Sequence, residues 1–164
     1  MHTFFLILAL TAVSPATAWE NNYVNAQQHA LEQKKPLVVL FGSGANGWTA
    51  RRGDSPQSEA ARLISQHYVC VYVDTSNSVG KQLAQNFALS QGAGLVISDR
   101  NGSTQAFWHQ GDMEQATLIP YLQKYSDPLV VVNTTETVNT VRASYYPATS
   151  GYQAAPRAIT SGNC

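Results

Sequence analysis

Gly42, Gly44 and Gly47 fall in the stretch FGSGANGWTARRGDSPQ, residues 41 to 57, with the G-x-G-x-x-G spacing of a loop that cradles a dinucleotide pyrophosphate. The same stretch carries Arg52-Gly53-Asp54, a tripeptide that some adhesion receptors bind, and Trp48, a large aromatic in a polar loop. Other residues able to do chemistry are few. Cys70 and Cys164 are the two thiols, with His67 close to Cys70 in sequence. A cysteine nucleophile needs a lowered pKa and a base within reach. His67 closes an expected helix while Cys70 sits inside an apolar run, so the two read as a satisfied histidine beside a core cysteine. Ser43 lies in G-S-G rather than G-x-S-x-G and makes no nucleophile elbow. His29, His67 and His109 are scattered without metal-ligand spacing, and no metal or cofactor is expected. Asn101-Gly102-Ser103 and Asn133-Thr134-Thr135 are sequons, relevant only in a glycosylating host.

The elements that must position these residues follow from periodicity. Trp19, Tyr23, Ala26 and Ala30 recur at helical spacing, predicting an amphipathic helix that ends before Pro36. Leu37 to Phe41 is a continuous, β-branched apolar run, as in a strand covered on both faces. After the glycine-rich loop a helix is expected, with Ser55 as its cap and Pro56 at its first position. Tyr68 to Asp74 predicts a second buried strand. A third helix places Val79, Leu83 and Phe87 on one face. Two strand-like segments, Gly94 to Ser98 and Thr104 to His109, flank Asp99-Arg100-Asn101-Gly102, a strong hairpin signal. A last helix is expected from Asp112 to Tyr125, with Pro120 kinking it or lying in its first turn. The order is α-β-α-β-α-β-β-α, and the two βα units imply parallel strands with right-handed crossovers.

This order discriminates among the readings of the loop. The dinucleotide fingerprint opens directly into a helix whose N-terminus faces the pyrophosphate. Here Gly53-Asp54-Ser55-Pro56 intervenes, and Asp74 lies farther on than the usual ribose-binding acid. The adhesion tripeptide has no independent support in the chain.

The element order, the KKPLVVLF segment and the GLVISDRNGS hairpin resemble the thioredoxin-like family over roughly residues 19–125, particularly its exported members. The resemblance implies an α/β fold, a three-layer α/β/α sandwich with a mixed central sheet and a C-terminal β-hairpin plus helix. It also implies where a redox site would lie. The two cysteines of the family's W-C-x-x-C-type loop fall at Asn46 and Thr49, with Gly47 and Trp48 between them. The buried acid beneath the loop falls at Leu40, and the cis-proline facing the cysteines falls at Ala93. Thiol–disulfide exchange needs a low-pKa thiolate and a resolving thiol, and Asn46 and Thr49 supply neither. Leu40 takes no proton, and Ala93 does not favour a cis peptide, which costs about 2.5–4 kcal/mol outside X-Pro bonds. The loop therefore reads as a vacated redox loop, with Asn46, Gly47, Trp48, Thr49 and Ala93 as candidate binding residues. Trp48 is either a binding anchor or a plug for the core.

The whole chain bounds the remaining possibilities. Its 164 residues carry ten acidic and ten basic side chains, with no basic cluster, so no nucleic-acid or anionic-membrane partner is expected. An apolar run from Phe4 to Val13, followed by Ala16-Thr17-Ala18, reads as a signal peptide over residues 1–18. The mature chain is expected to be secreted or periplasmic, without membrane insertion after cleavage. A thioredoxin-like domain is expected over residues 19–126. Residues 127–164 form a low-complexity segment of Thr, Ser, Ala, Tyr and Pro, in which Leu129 to Val132 add at most an edge, and a disordered tail is expected beyond about Ala143. The expected function is a non-catalytic module binding an unidentified protein or peptide. The rival is a thiol-disulfide oxidoreductase using Cys70 or Cys164, and the accessibility of Cys70 separates the two.

Overall fold

The central strand β1, Leu37–Gly42, is buried along its whole length, because side chains alternate across a sheet that is covered on both faces. The structure, a computed structural model, describes residues 19–44, 58–138 and 141–143. Strand β2, Val69–Asp74, runs parallel to β1 with Leu37 opposite Val69 and Gly42 opposite Asp74. On the other side of β1, strand β3, Gly94–Ser98, is antiparallel, and β4, Gln105–Gln110, returns antiparallel to β3. Two short strands, β5 at Thr134–Glu136 and β6 at Val141–Ala143, complete the order β2-β1-β3-β4-β5-β6.

Helices cover both faces. Helix α1, Tyr23–Gln33, and helix α3, Ser78–Asn86, lie over the face formed by Leu37, Val39, Phe41, Val71 and Val96. Phe87 ends α3 and packs its ring 5.5 Å from Phe41 and 5.7 Å from Tyr23. Helix α2, Glu59–His67, and helix α4, Gln115–Ser126, cover the opposite face through Leu63, Leu118 and Leu122 against Val38, Leu40, Ile97 and Phe107. Each large apolar side chain so buried contributes about 1.5–3 kcal/mol of transfer free energy. The helices start where short polar side chains satisfy free backbone N–H groups. Asn22 accepts from Asn25 N–H at 3.1 Å, Ser58 from Ala61 N–H at 3.2 Å, and Asn77 from Gly80 N–H at 2.8 Å.

Several expected boundaries move. Helix α1 starts at Tyr23 rather than Trp19, because Glu20 pairs with the outer edge of β2. Its N–H donates to Cys70 O at 2.9 Å and its carbonyl accepts from Tyr72 N–H at 2.8 Å. Helix α2 is capped by Ser58, while Ser55 and Pro56 lie outside the described residues. Val79 is 61% exposed and leaves the face that Leu83 and Phe87 bury. Helix α4 starts at Gln115, and Pro120 lies well inside it. Pro120 is exposed, so the carbonyl that its missing N–H leaves unbonded is on the solvent side.

The domain boundary at residue 126 is also corrected, since β5 and β6 extend the sheet beyond it. Thr135 is fully buried and its hydroxyl donates to Gln105 O at 2.8 Å. A threonine-rich stretch looked too polar to order. Yet threonine is β-branched, and the edge of β4 supplies its hydroxyl with an acceptor. Leu129 to Val132 form no strand, although Val130 and Val132 pack against the α4 side of the core. Residues 144–164, expected to form a tail, lie outside the described residues.

Candidate functional site

The exit of β1 is where the structure brings the candidate site together. At the C-terminal end of this strand, Gly42 O accepts both the Thr75 N–H at 2.7 Å and the Thr75 hydroxyl at 3.0 Å. The Gly92–Ala93 turn sits against the same threonine: a Cβ on Gly92 would lie 3.3 Å from Thr75 Oγ1, and Gly92 has φ +67°. Ala93 is half-buried, its peptide bonds are trans, and its carbonyl accepts from Gly111 N–H at 2.9 Å. The position that faces the redox pair in the resembling family is thus placed beside the stem of the loop. Asn46, Gly47, Trp48 and Thr49 lie outside the described residues.

Gly42 and Gly44 serve the stem, not a phosphate. A Cβ on Gly42 would lie 2.9 Å from the Tyr72 hydroxyl, so a side chain there would have to push the end of the ring aside. The Tyr72 hydroxyl donates to Gly44 O at 2.8 Å. Asp74 Oδ1 accepts from Gly44 N–H at 2.8 Å and from Ser76 N–H at 2.9 Å. Hydrogen bonds from Ser76, and from Gly44 behind them, hold the Asp74 carboxyl below the usual carboxylate range. A dinucleotide site needs that N–H turned toward a phosphate and that acid toward a ribose; here each is bonded to the other. Tyr72 and Thr75 as anchors of the loop were not read from sequence. Their signal is a contact between residues about thirty positions apart, which local pattern does not carry.

Cys70 is packed away from solvent. It is 1% exposed in the middle of β2, in the same core layer as Val38, Leu63 and Ile97. Burial pushes its thiol far up, against the weaker opposing influence of Lys35. It is a free thiol, and its burial disfavours the thiolate. Leu40, at the position of the family's buried acid, is itself buried in the same core layer. Cys164 lies outside the described residues.

Among the described residues no group of three or more His, Cys, Asp or Glu is placed to hold a metal ion. No described helix is long and apolar enough to cross a membrane. A cleft of about 300 Å³, lined by Ser98, Arg100, Tyr125, Asp127, Val130 and Val132 among others, lies at the far end of β3 and is separate from this site.

No family profile matches the chain, and no curated protein matches it. Among solved structures it is similar to a thioredoxin from Thermus thermophilus, determined in solution, at 17% identity and a TM-score of 0.55. The match covers 66% of this chain and 85% of that one. Parallel β1 and β2, antiparallel β3 and β4, and paired helices on each face agree with that likeness: the chain has a thioredoxin-like α/β fold.

Proposed function

We propose that the chain is an exported binding module that uses the thioredoxin-like fold without its redox chemistry. The observation that carries this reading is the state of its thiols. Residues 41 to 57 contain no cysteine, and Cys70, the described thiol, is buried, which raises its pKa. A sequence with asparagine and threonine at the positions of the resembling family's thiol pair, on a fold that brings the end of β1 and Gly92 against Thr75, retains a surface and loses a nucleophile. The binding surface is the loop Asn46-Gly47-Trp48-Thr49 together with Ala93, and its partner is an unidentified protein or peptide. Trp48 is either an anchor of this surface, as large aromatics are at many interfaces, or a plug for the core, and replacing it with alanine separates the two.

The test is turnover of a disulfide substrate. The unmodified chain is expected to stay at background. Asn46→Cys with Thr49→Cys should form an intraloop disulfide but turn over slowly, because Leu40 cannot assist proton transfer and Ala93 poorly holds a substrate strand. Adding Leu40→Asp and Ala93→Pro should raise the rate, provided that the buried acid is tolerated. Reductase activity in the unmodified chain, abolished by Cys70→Ser or Cys164→Ser, overturns the proposal in favour of a thiol enzyme. Peptides selected on the chain should bind at least tenfold more weakly to Trp48→Ala. Export is checked separately by sequencing the N-terminus of protein collected outside the cytoplasm, expected to begin at Trp19.

A further inference from the structure

At the opposite end of the sheet from the β1 exit, the segment leading into β5 has the pattern of a strand with no strand beside it. Leu129 and Val131 are 85% and 78% exposed, whereas Val130 and Val132 turn inward onto the core. That two-residue alternation is the side-chain period of extended backbone. Tight hydrogen bonds hold the start of the segment: Leu129 N–H donates to Asp127 Oδ1 at 2.9 Å, and Val130 N–H to Asp127 O at 3.3 Å. Beyond Val130 the main chain of Val131, Val132 and Asn133 makes no backbone hydrogen bond among the described residues before β5 begins. An extended apolar segment with open N–H and C=O groups is a template for another strand.

The charges beside the segment select what kind of strand. The adjoining cleft of about 300 Å³ is bordered by Asp99, Arg100 and Asp127. The Arg100 guanidinium is turned to the fold, donating to Lys34 O and Ser126 O at two helix C-termini. Among the described residues Asp99 and Asp127 bond only backbone N–H groups and the Ser103 hydroxyl, and neither carboxylate has a cationic side chain bonded to it. The cleft therefore presents net negative charge next to an apolar strip.

We propose that Leu129–Asn133 and this cleft form a docking strip for an extended peptide in which β-branched residues alternate with lysine or arginine. Its main chain pairs with that of Val131 to Asn133, its apolar side chains cover Leu129 and Val131, and its cations lie against Asp99 and Asp127. The strip is distinct from the surface at Ala93 and does not depend on the reading of that surface.

The test uses the full chain and the probe peptide acetyl-Lys-Val-Thr-Val-Lys-amide, followed by amide chemical shifts. The expected result is saturable shifts at residues 98–101 and 129–133, with a dissociation constant below about 1 mM that weakens as salt is raised. A glutamate-flanked peptide should bind at least tenfold more weakly. Asp127→Asn keeps the acceptor for Leu129 N–H but removes the charge, and should weaken the lysine peptide severalfold. Val131→Lys, at an exposed position, should abolish binding while leaving the fold intact. Absence of shifts, equal binding of both peptides, or shifts confined to residues 42–44 and 92–94 overturns the proposal. Binding that appears only when the chain is ended after Ala143 also overturns it, since the occupant is then the chain's own C-terminal segment.

Discussion

Arg100, in the turn between β3 and β4, donates one guanidinium N–H to Lys34 O at 2.9 Å and another to Ser126 O. Lys34 closes α1 and Ser126 ends α4, and these helices lie on opposite faces of the sheet. One cation thus satisfies carbonyls at two helix C-termini, where the backbone dipoles favour positive charge. The hairpin is held in place to do this by Asp99, whose Oδ1 accepts from Ser103 N–H at 2.9 Å and Thr104 N–H at 3.0 Å.

Arg100→Met is expected to destabilise the fold by about 2–4 kcal/mol, because two helix-end carbonyls lose charge-assisted bonds at once. Arg100→Lys keeps the charge but not the fork, and should recover less than half of the loss. Urea unfolding at neutral pH, with the slope unchanged, checks both.

Gly80 lies in the first turn of α3, where alanine ordinarily favours a helix by up to about 1 kcal/mol. Here a Cβ would meet Asp74 O at 1.9 Å, and that atom is backbone. Gly80→Ala should therefore destabilise, by about 2 kcal/mol or more, against its helical propensity. A raised thermal midpoint in this variant would contradict the contact.

Cys70 should resist thiol reagents in the native chain and react only as the domain unfolds. In a Cys164→Ser background, the labelled fraction should follow the unfolding curve across a urea series. Labelling in the absence of denaturant, at the rate of a free peptide thiol, would mean that the core opens around β2.

His29 Nδ1 lies 2.8 Å from Glu20 Oε1, and the hydrogen bond and charge of Glu20 raise its pKa above 6.5. A raised folded pKa contributes stability that is fully present below pH 6.5 and disappears as pH rises through the folded value. The pair is exposed, so its effect on stability is small. Proton NMR titration of the imidazole should give a pKa above 6.5, returning toward that value in Glu20→Gln.

Much of this architecture was legible in the residues themselves. Leu37 to Phe41 and Tyr68 to Asp74 are continuous apolar runs, and only strands covered on both faces have reason to be apolar at every position. The helical spacing of Tyr23, Ala26 and Ala30, and the Asn-Gly hairpin, gave the order of elements as far as α4 because those signals are local. The thioredoxin-like fold follows from that order. Sequence alone also determined that the loop from Phe41 to Gln57 contains no thiol. What tertiary structure decided are relationships between distant positions. Gly42 and Gly44 fit a dinucleotide motif on paper, and the approach of Tyr72, Thr75 and Asp74 gave them their structural roles. Cys70 was a thiol of either kind until α2 and α4 closed over it and removed the solvation that a thiolate needs. Thr135 looked like part of a polar tail, and the Gln105 carbonyl turned it into a buried strand residue. A hydroxyl, a thiol or a glycine N–H acquires its chemistry from what packs against it, and that neighbour is set by the folded chain rather than by adjacent letters.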